Sequence, residues 1–242
     1  MTQAAPHRVV FGARRPQRAA VPTKSPAPDR DNLLSDLRFR TLIEDADWER
    51  LPPPVRRRFT QRLAGGNTIV YAGEVIETQL SRPGWWLAHA TRLIGGPLPL
   101  SAEARVPSVV SVTEDMAKGG QVWTRLYARR AGFPQVIHSS KRFAGPTGLE
   151  EHLGYGVGMA LTVHVENAAL VFRSERYFVQ VLGLRIPLPR WLTPGSLSVI
   201  HAETGEGAFT YTLEVVHPRL GLLVRQTARF RETMVCSPRS CG

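Results

Sequence analysis

From Thr68 onward the apolar residues change from a helical spacing to the two-residue period of a strand, and they keep that period almost to the end of the chain. Strand-like runs are legible at 68–80, 106–113, 121–128, 135–143, 157–166, 169–181, 196–202, 208–217 and 222–231. Turn chemistry separates several of them: Lys118-Gly119-Gly120, Ala131-Gly132, Glu166-Asn167, Gly205-Glu206-Gly207 and His217 to Gly221. Eight or nine strands joined mostly by short turns can only pair antiparallel, because a parallel neighbour needs a long crossover. Runs of 7–13 residues, most of them 8 or more, are long for an open sheet, and an open meander leaves two unpaired edges. The pattern therefore predicts a mainly β (α+β) fold, a strongly curved antiparallel meander or closed barrel of 8–10 strands. It would be lipocalin-like or fatty-acid-binder-like, with short N-terminal helices. A helix-grip fold is the alternative, weakened by the lack of a long C-terminal helix, and a filled β-sandwich is the plainest competitor.

Ahead of the strands, Leu34, Leu37, Leu42, Ile43, Trp48, Leu51, Phe59 and Leu63 recur at helical spacing, interrupted by Pro52, Pro53 and Pro54. Two short helices are expected, one ending before the prolines and one starting within them, since proline suits a first helical turn. Gly65 and Gly66 would stop the second. Arg56, Arg57, Arg58 and Arg62 form a basic run on it, read as a solvated face, with an anion or nucleic-acid patch as the competing role. Gly84 to Ile94, with Trp85 and Trp86, reads as one short helix between strands, whose tryptophans with His89 and Arg92 would make a lid or a contact surface.

Charge and cysteine narrow the class. Of the formal net charge of +11, the first 30 residues carry +5 in an Ala/Pro/Arg-rich stretch without the apolar core of a secretory signal. The expected organisation is a disordered basic tail over 1–31, a single β-rich domain over 32–233 and a flexible tail over 234–242. Cys236 and Cys241 have no second pair to complete a zinc site, so no metal and no cofactor are expected. Few cysteines and no apolar run of about 18 residues point to a cytoplasmic protein without a transmembrane segment. Nucleic acid is an unlikely partner.

Familiar catalytic patterns fail on inspection. Gly154-Tyr155-Gly156-Val157-Gly158 lacks the last glycine of a dinucleotide loop, and Met159 stands there. His164-Val165-Glu166 has no cysteine pair downstream to complete a deaminase zinc site. What stands out is Phe133 to Glu151, FPQVIHSSKRFAGPTGLEE, where five consecutive polar residues break strand alternation. Ser139, Lys141 and Phe143 share one face of that strand, and His138, Ser140 and Arg142 the other. Thr147-Gly148-Leu149-Glu150 fits a capping box, predicting a short helix to about Leu153 whose N-terminus beside Lys141 and Arg142 would favour an anion. A purely structural account is that Glu150 and Glu151 pair with Lys141 and Arg142.

The same segments carry a resemblance. GGQVWTRLY (119–127), FPQVIHSSKRFAGPTGLEEHLGYGVGM (133–159), LPRWLTPG (188–195) and VHPRLG (216–221) resemble the bacterial family catalogued as domain of unknown function 4166. The resemblance covers Leu51 to Glu232 and implies no catalytic residue, because the family has no established activity. It does imply a possible NAD(P)-dependent reductase partner, since relatives occur joined to a saccharopine-dehydrogenase-like NAD(P)-binding domain absent from this chain.

Three functions are weighed. The favoured one is a β-cup for a small amphipathic or lipid-like ligand, walled by Trp123, Tyr127, Phe143, Phe172, Phe178, Phe209 and Tyr211 and anchored by Arg125, Lys141 or Arg142. The second is an enzyme or substrate-handling partner of a separate reductase, with His138 or Lys141 as acid/base and Ser139 or Ser140 donating hydrogen bonds. The third is a weak nucleic-acid-binding module. The site residues singled out are Arg125, Tyr127, His138, Ser139, Lys141, Arg142, Phe143, Thr147 and Glu150.

Overall fold

The computed structural model describes residues 36–236 apart from 62 and 64–66. The N-terminal tail over 1–31, the glycine stop at Gly65-Gly66, Arg62 and Cys241 all lie outside the described residues.

Eleven strands make one antiparallel sheet: β1 (Thr68–Leu80), β2 (Val106–Asp115), β3 (Gly120–Tyr127), β4 (Gln135–Arg142), β5 (Glu150–Gly154), β6 (Val157–Glu166), β7 (Ala169–Val181), β8 (Leu184–Pro187), β9 (Ser196–Gly205), β10 (Ala208–His217) and β11 (Gly221–Cys236). β1 pairs with both β2 and β11, and β6 pairs with β7. The sheet therefore closes into a ten-stranded barrel, the architecture expected from the meander. β7 borders β9 along Leu170–Arg173 and then β8 along Phe178–Val181, so β8 is an outer strand set beside the barrel. Register shifts in β1 against β11, in β6 against β7 and in β10 against both its neighbours supply the extra bend that closure needs.

Because every strand is antiparallel to its neighbour, alternate connections lie at the same end. The connections 116–119, 143–149, 167–168 and 206–207 define a near end, which the chain leading into β1 also reaches. The connections 81–105, 128–134, 155–156, 182–195 and 218–220 define a far end.

The near end is stoppered by the N-terminal elements. After a 3-10 turn (Arg40–Leu42), α1 (Asp45–Arg50) ends before the prolines and α2 (Pro53–Thr60) begins on Pro53, as the spacing predicts. Phe39 meets Phe59 and Phe143 edge-on, and Phe59 packs on Phe172 of β7. Phe39, Val55 and Phe59 are almost wholly buried. Each such side chain contributes about 1.5–3 kcal/mol.

At the far end, α3 (Arg82–Ala90) is capped by the Ser81 hydroxyl, which accepts from Gly84 N at 3.2 Å. Gly84 lies so close to the Leu223 carbonyl that any Cβ would overlap it, which seats α3 against β11. The following segment, Gly95 to Leu100, is tied to the start of β4. Gln135 Oε1 accepts from Leu100 N at 3.1 Å and its Nε2 donates to Leu98 O at 2.8 Å.

Two local expectations are corrected. Residues 150–154 are strand β5, and the predicted capped helix does not form. The Thr147 hydroxyl donates to Leu149 O instead of accepting from the helix backbone, and Gly145 and Gly148 take positive φ. A helix there would forfeit the ladder that Glu150, Glu151 and His152 make with both β4 and β6. Residues 182–195, where the sequence shows no strand-like run, contain β8 and a 3-10 turn at Arg190–Leu192.

Candidate functional site

Strand parity decides what enters the barrel. On β3, Gln121, Trp123, Arg125 and Tyr127 point inward, and on β4 so do Ile137, Ser139 and Lys141. Glu151 of β5 is paired in register with Lys141 and with Met159, and shares their inward face. Three strands thus deliver two cations and one carboxylate to one layer. Lys141 Nζ stands 3.2 Å and an Arg125 terminal nitrogen 3.7 Å from the Glu151 carboxylate, and Arg125 donates to Ser139 Oγ at 2.7 Å. Lys141 Nζ also lies 5.1 Å from the Trp123 ring centre and 5.5 Å from that of Phe172, a cation held between two aromatic faces.

Burial sets the titration of this layer. Desolvation pushes Glu151 upward, but Lys141 and Arg125 outweigh it and hold the carboxyl below its ordinary value. Lys141 is pushed down by burial, helped by Arg125 and opposed by Glu151. The carboxylate stays ionised between the two cations. One positive charge in the trio is left without a counterion, and Arg125 Nε is buried with no hydrogen-bond partner among the described residues.

Arg125 also borders an internal cavity of about 50 Å³, walled by Trp123, Tyr127, Tyr211, Gln226 and Phe230 and covered toward the far end by Pro97 and Pro99. Lys141, Ser139 and Glu151 lie outside its wall. Burial raises the phenols of Tyr127 and Tyr211 well clear of neutral pH, so both are neutral hydrogen-bond donors.

A second buried polar cluster seals the near end. Arg58 reaches from α2 to Glu203 Oε2 at 2.8 Å, to His201 Nε2 at 3.2 Å, and lies over the Phe209 ring at 4.1 Å. A guanidinium only donates, so His201 Nε2 accepts and its proton sits on Nδ1. Burial and then the Arg58 charge push His201 down to about 3. The basic run on α2 is therefore not one solvated face: Arg57 is exposed, Arg56 pairs with Glu49, and Arg58 is buried. Its spacing carries the signal, because Arg58 falls three residues after Val55 and seven after Leu51 on the apolar face. His201 follows Leu197 and Val199 on one strand face in the same way.

A pH dependence follows from His201. Unfolded, it titrates near 6.5; folded, it stays neutral down to about 3. Between those values the unfolded chain binds the extra proton, so this contribution is complete above about pH 6.5 and is lost as pH falls toward 3. Unfolding free energies measured between pH 7 and 4.5 should fall less steeply in His201→Gln, by about 1.4 kcal/mol per pH unit. An unchanged slope would place the protonation elsewhere.

The other residues singled out from sequence do not join this layer. His138 is exposed on the outer face and contacts Thr124 Oγ1 at 3.0 Å. Arg142 is also outward, 3.5 Å from Asp115, which accepts from Ser140 Oγ at 2.9 Å. Glu150 is buried on the outer wall, held by Arg185 and by His152 Nε2 at 3.2 Å. Phe178, expected in the inner wall, stands on that outer side beneath the Arg185 guanidinium. Phe143 belongs to the near-end stopper, under Arg38 at 4.2 Å, and Thr147 to the turn before β5. His201 and Glu203 are interior groups that sequence reasoning did not single out, while Arg58 entered it only as part of a basic run and Glu151 only as a structural partner of Lys141 or Arg142.

Among the described residues no three His, Cys, Asp or Glu side chains gather as a metal site, and no helix is long and apolar enough to cross a membrane. Residues 51–230 match the family model described as Domain of unknown function (DUF4166). No curated protein and no solved structure matches the chain.

Proposed function

Because the chain belongs to the DUF4166 family, whose description names no activity, we propose from its own geometry that the barrel is a cup for an amphipathic carboxylate. The anionic head sits against Arg125, and any apolar tail leaves the cavity toward the far end beneath Pro97 and Pro99. The observation that carries this reading is Arg125 itself. It is the cation of the trio that borders the cavity, it has a buried donor without a partner among the described residues, and it shares the Glu151 carboxylate with Lys141. Tyr127 and Tyr211, neutral on the same wall, are placed as additional donors, while Trp123 and Phe230 supply apolar surface.

The cavity's size fits a head group. About 50 Å³ holds roughly three to five waters, which a carboxylate and its first carbons displace. An acid/base enzyme is supported less well. Of its two expected groups, His138 faces outward, and Lys141 is walled off between Trp123, Phe172 and Glu151, away from the cavity.

Calorimetric titration with decanoate and with decanol tests this. Decanoate should bind at one site, and Arg125→Met should weaken it about 10- to 100-fold, the loss of a charge-assisted hydrogen bond. Decanol binding should be indifferent to the same substitution. Equal decanoate affinity in the variant and the wild type would end the reading.

A further inference from the structure

Eleven large apolar side chains stand in solvent on the far-end connections, the most exposed among them Leu182 (98%), Phe133 (91%), Leu93 (83%), Tyr155 (81%), Trp191 (81%) and Trp86 (70%). Each of the five far-end connections contributes at least one. The four near-end connections contribute Met116 alone among the large exposed hydrophobics. Scattered single exposed residues such as Met116 and Leu37 need no explanation, but such side chains concentrated at one end of a barrel do.

The far end is also strongly basic. The far-end connections hold eight arginines and one acid, Glu103, whose carboxylate accepts from Arg130 N. Arg185 is engaged with Glu150. The near-end approach to the barrel instead mixes the two signs, with Asp45, Asp47 and Glu49 paired to Arg40, Arg50 and Arg56. Three far-end connections repeat one local arrangement, an exposed arginine followed directly by an exposed apolar residue: Arg92-Leu93, Arg190-Trp191 and Arg219-Leu220.

We propose that the far end of the barrel docks on the surface of an anionic lipid bilayer. The apolar residues enter the boundary between head groups and acyl chains, and the arginines beside them meet lipid phosphates. A bilayer suits this surface because its interface accepts an apolar side chain and a cation at adjacent positions without a shaped pocket for each. Tryptophan and tyrosine favour that same depth, where a ring is buried while its polar atom stays wet. The near absence of acids makes the charge complementary to anionic head groups. Pro97 and Pro99, which cover the cavity, belong to the same end, so docking would bring the cavity mouth to the membrane. The proposal stands on the surface residues alone and does not require the cavity to hold a ligand.

The test is co-sedimentation of the full chain with vesicles of phosphatidylcholine, with or without about one quarter phosphatidylglycerol. Binding to the anionic vesicles should be at least tenfold tighter, and it should weaken as salt rises, because head-group attraction is screened. Leu182→Ser/Trp191→Ser should weaken it tenfold or more with an unchanged thermal midpoint, since both side chains lie in solvent. Arg190→Glu/Arg219→Glu should abolish the preference for anionic vesicles, and Met116→Ser at the opposite end should change nothing. Arg125→Met should bind vesicles like the wild type, which separates this surface from the cavity. Vesicle binding insensitive to the far-end substitutions would overturn the proposal. So would no binding to anionic vesicles, including the case where the Leu182/Trp191 variant instead abolishes self-association in sedimentation velocity, which would assign the surface to a second copy of this chain.

Discussion

Glu151→Ala should cost about 3–5 kcal/mol of folding free energy, because it leaves Lys141 and Arg125 buried together without their shared carboxylate. The loss comes from stranding the cations, so it should shrink when Lys141 is removed as well. Lys141→Met/Glu151→Leu should recover most of it, since replacing a buried ion pair with apolar side chains of similar volume is often nearly neutral. Urea unfolding followed by circular dichroism measures both. If Glu151→Ala costs under about 1 kcal/mol, water reaches the trio and its electrostatics are those of a surface. Acid acts in the same direction: with its carboxyl held below the ordinary value, Glu151 stabilises the fold at neutral pH and loses that contribution as it protonates.

The second large effect is steric. At Gly73, in the middle of β1 opposite Phe230 and Ser108, a Cβ would overlap the Arg229 carbonyl oxygen and crowd the backbone of Phe230. These are backbone atoms of a paired strand and cannot move aside as a flexible side chain does. Gly73→Val should therefore cost about 3 kcal/mol or more and reduce soluble yield, with Gly73→Ala intermediate. A thermal midpoint in Gly73→Val equal to that of the wild type would mean that the strands can part at this corner without penalty.

The barrel was legible in the sequence because its evidence is repetitive: nine alternating runs and short turns leave little choice but an antiparallel meander, and long strands favour closure. The 3.6-residue spacing with prolines likewise located α1 and α2. The site was legible only in part, for a reason that shows at β5. Parity divided the residues of β4 into two sets but could not say which faced inward. That is settled by Glu151, which pairs with Lys141, and Glu151 lay in a segment whose Thr-x-x-Glu pattern spelled a helix. Local capping chemistry is worth about 1 kcal/mol and lost to a ladder shared with two neighbouring strands. Arg58 and Glu203 illustrate the other limit. They meet across 145 positions of chain, a distance no local pattern spans, although the apolar-face position of Arg58 was there to be read.

The pairing of β1 with β11 sets a condition on how the protein is made. The first strand of the barrel waits for the last, so while the chain is being synthesised no closed barrel exists until β11 has left the ribosome. Until then the inward faces of the strands already made, with their tryptophan, tyrosines and phenylalanines, have only a partial lining to meet. A fold with so distant a closing contact assembles slowly for its size. The nascent chain should accordingly depend on chaperones up to that last strand and lose the dependence once it pairs.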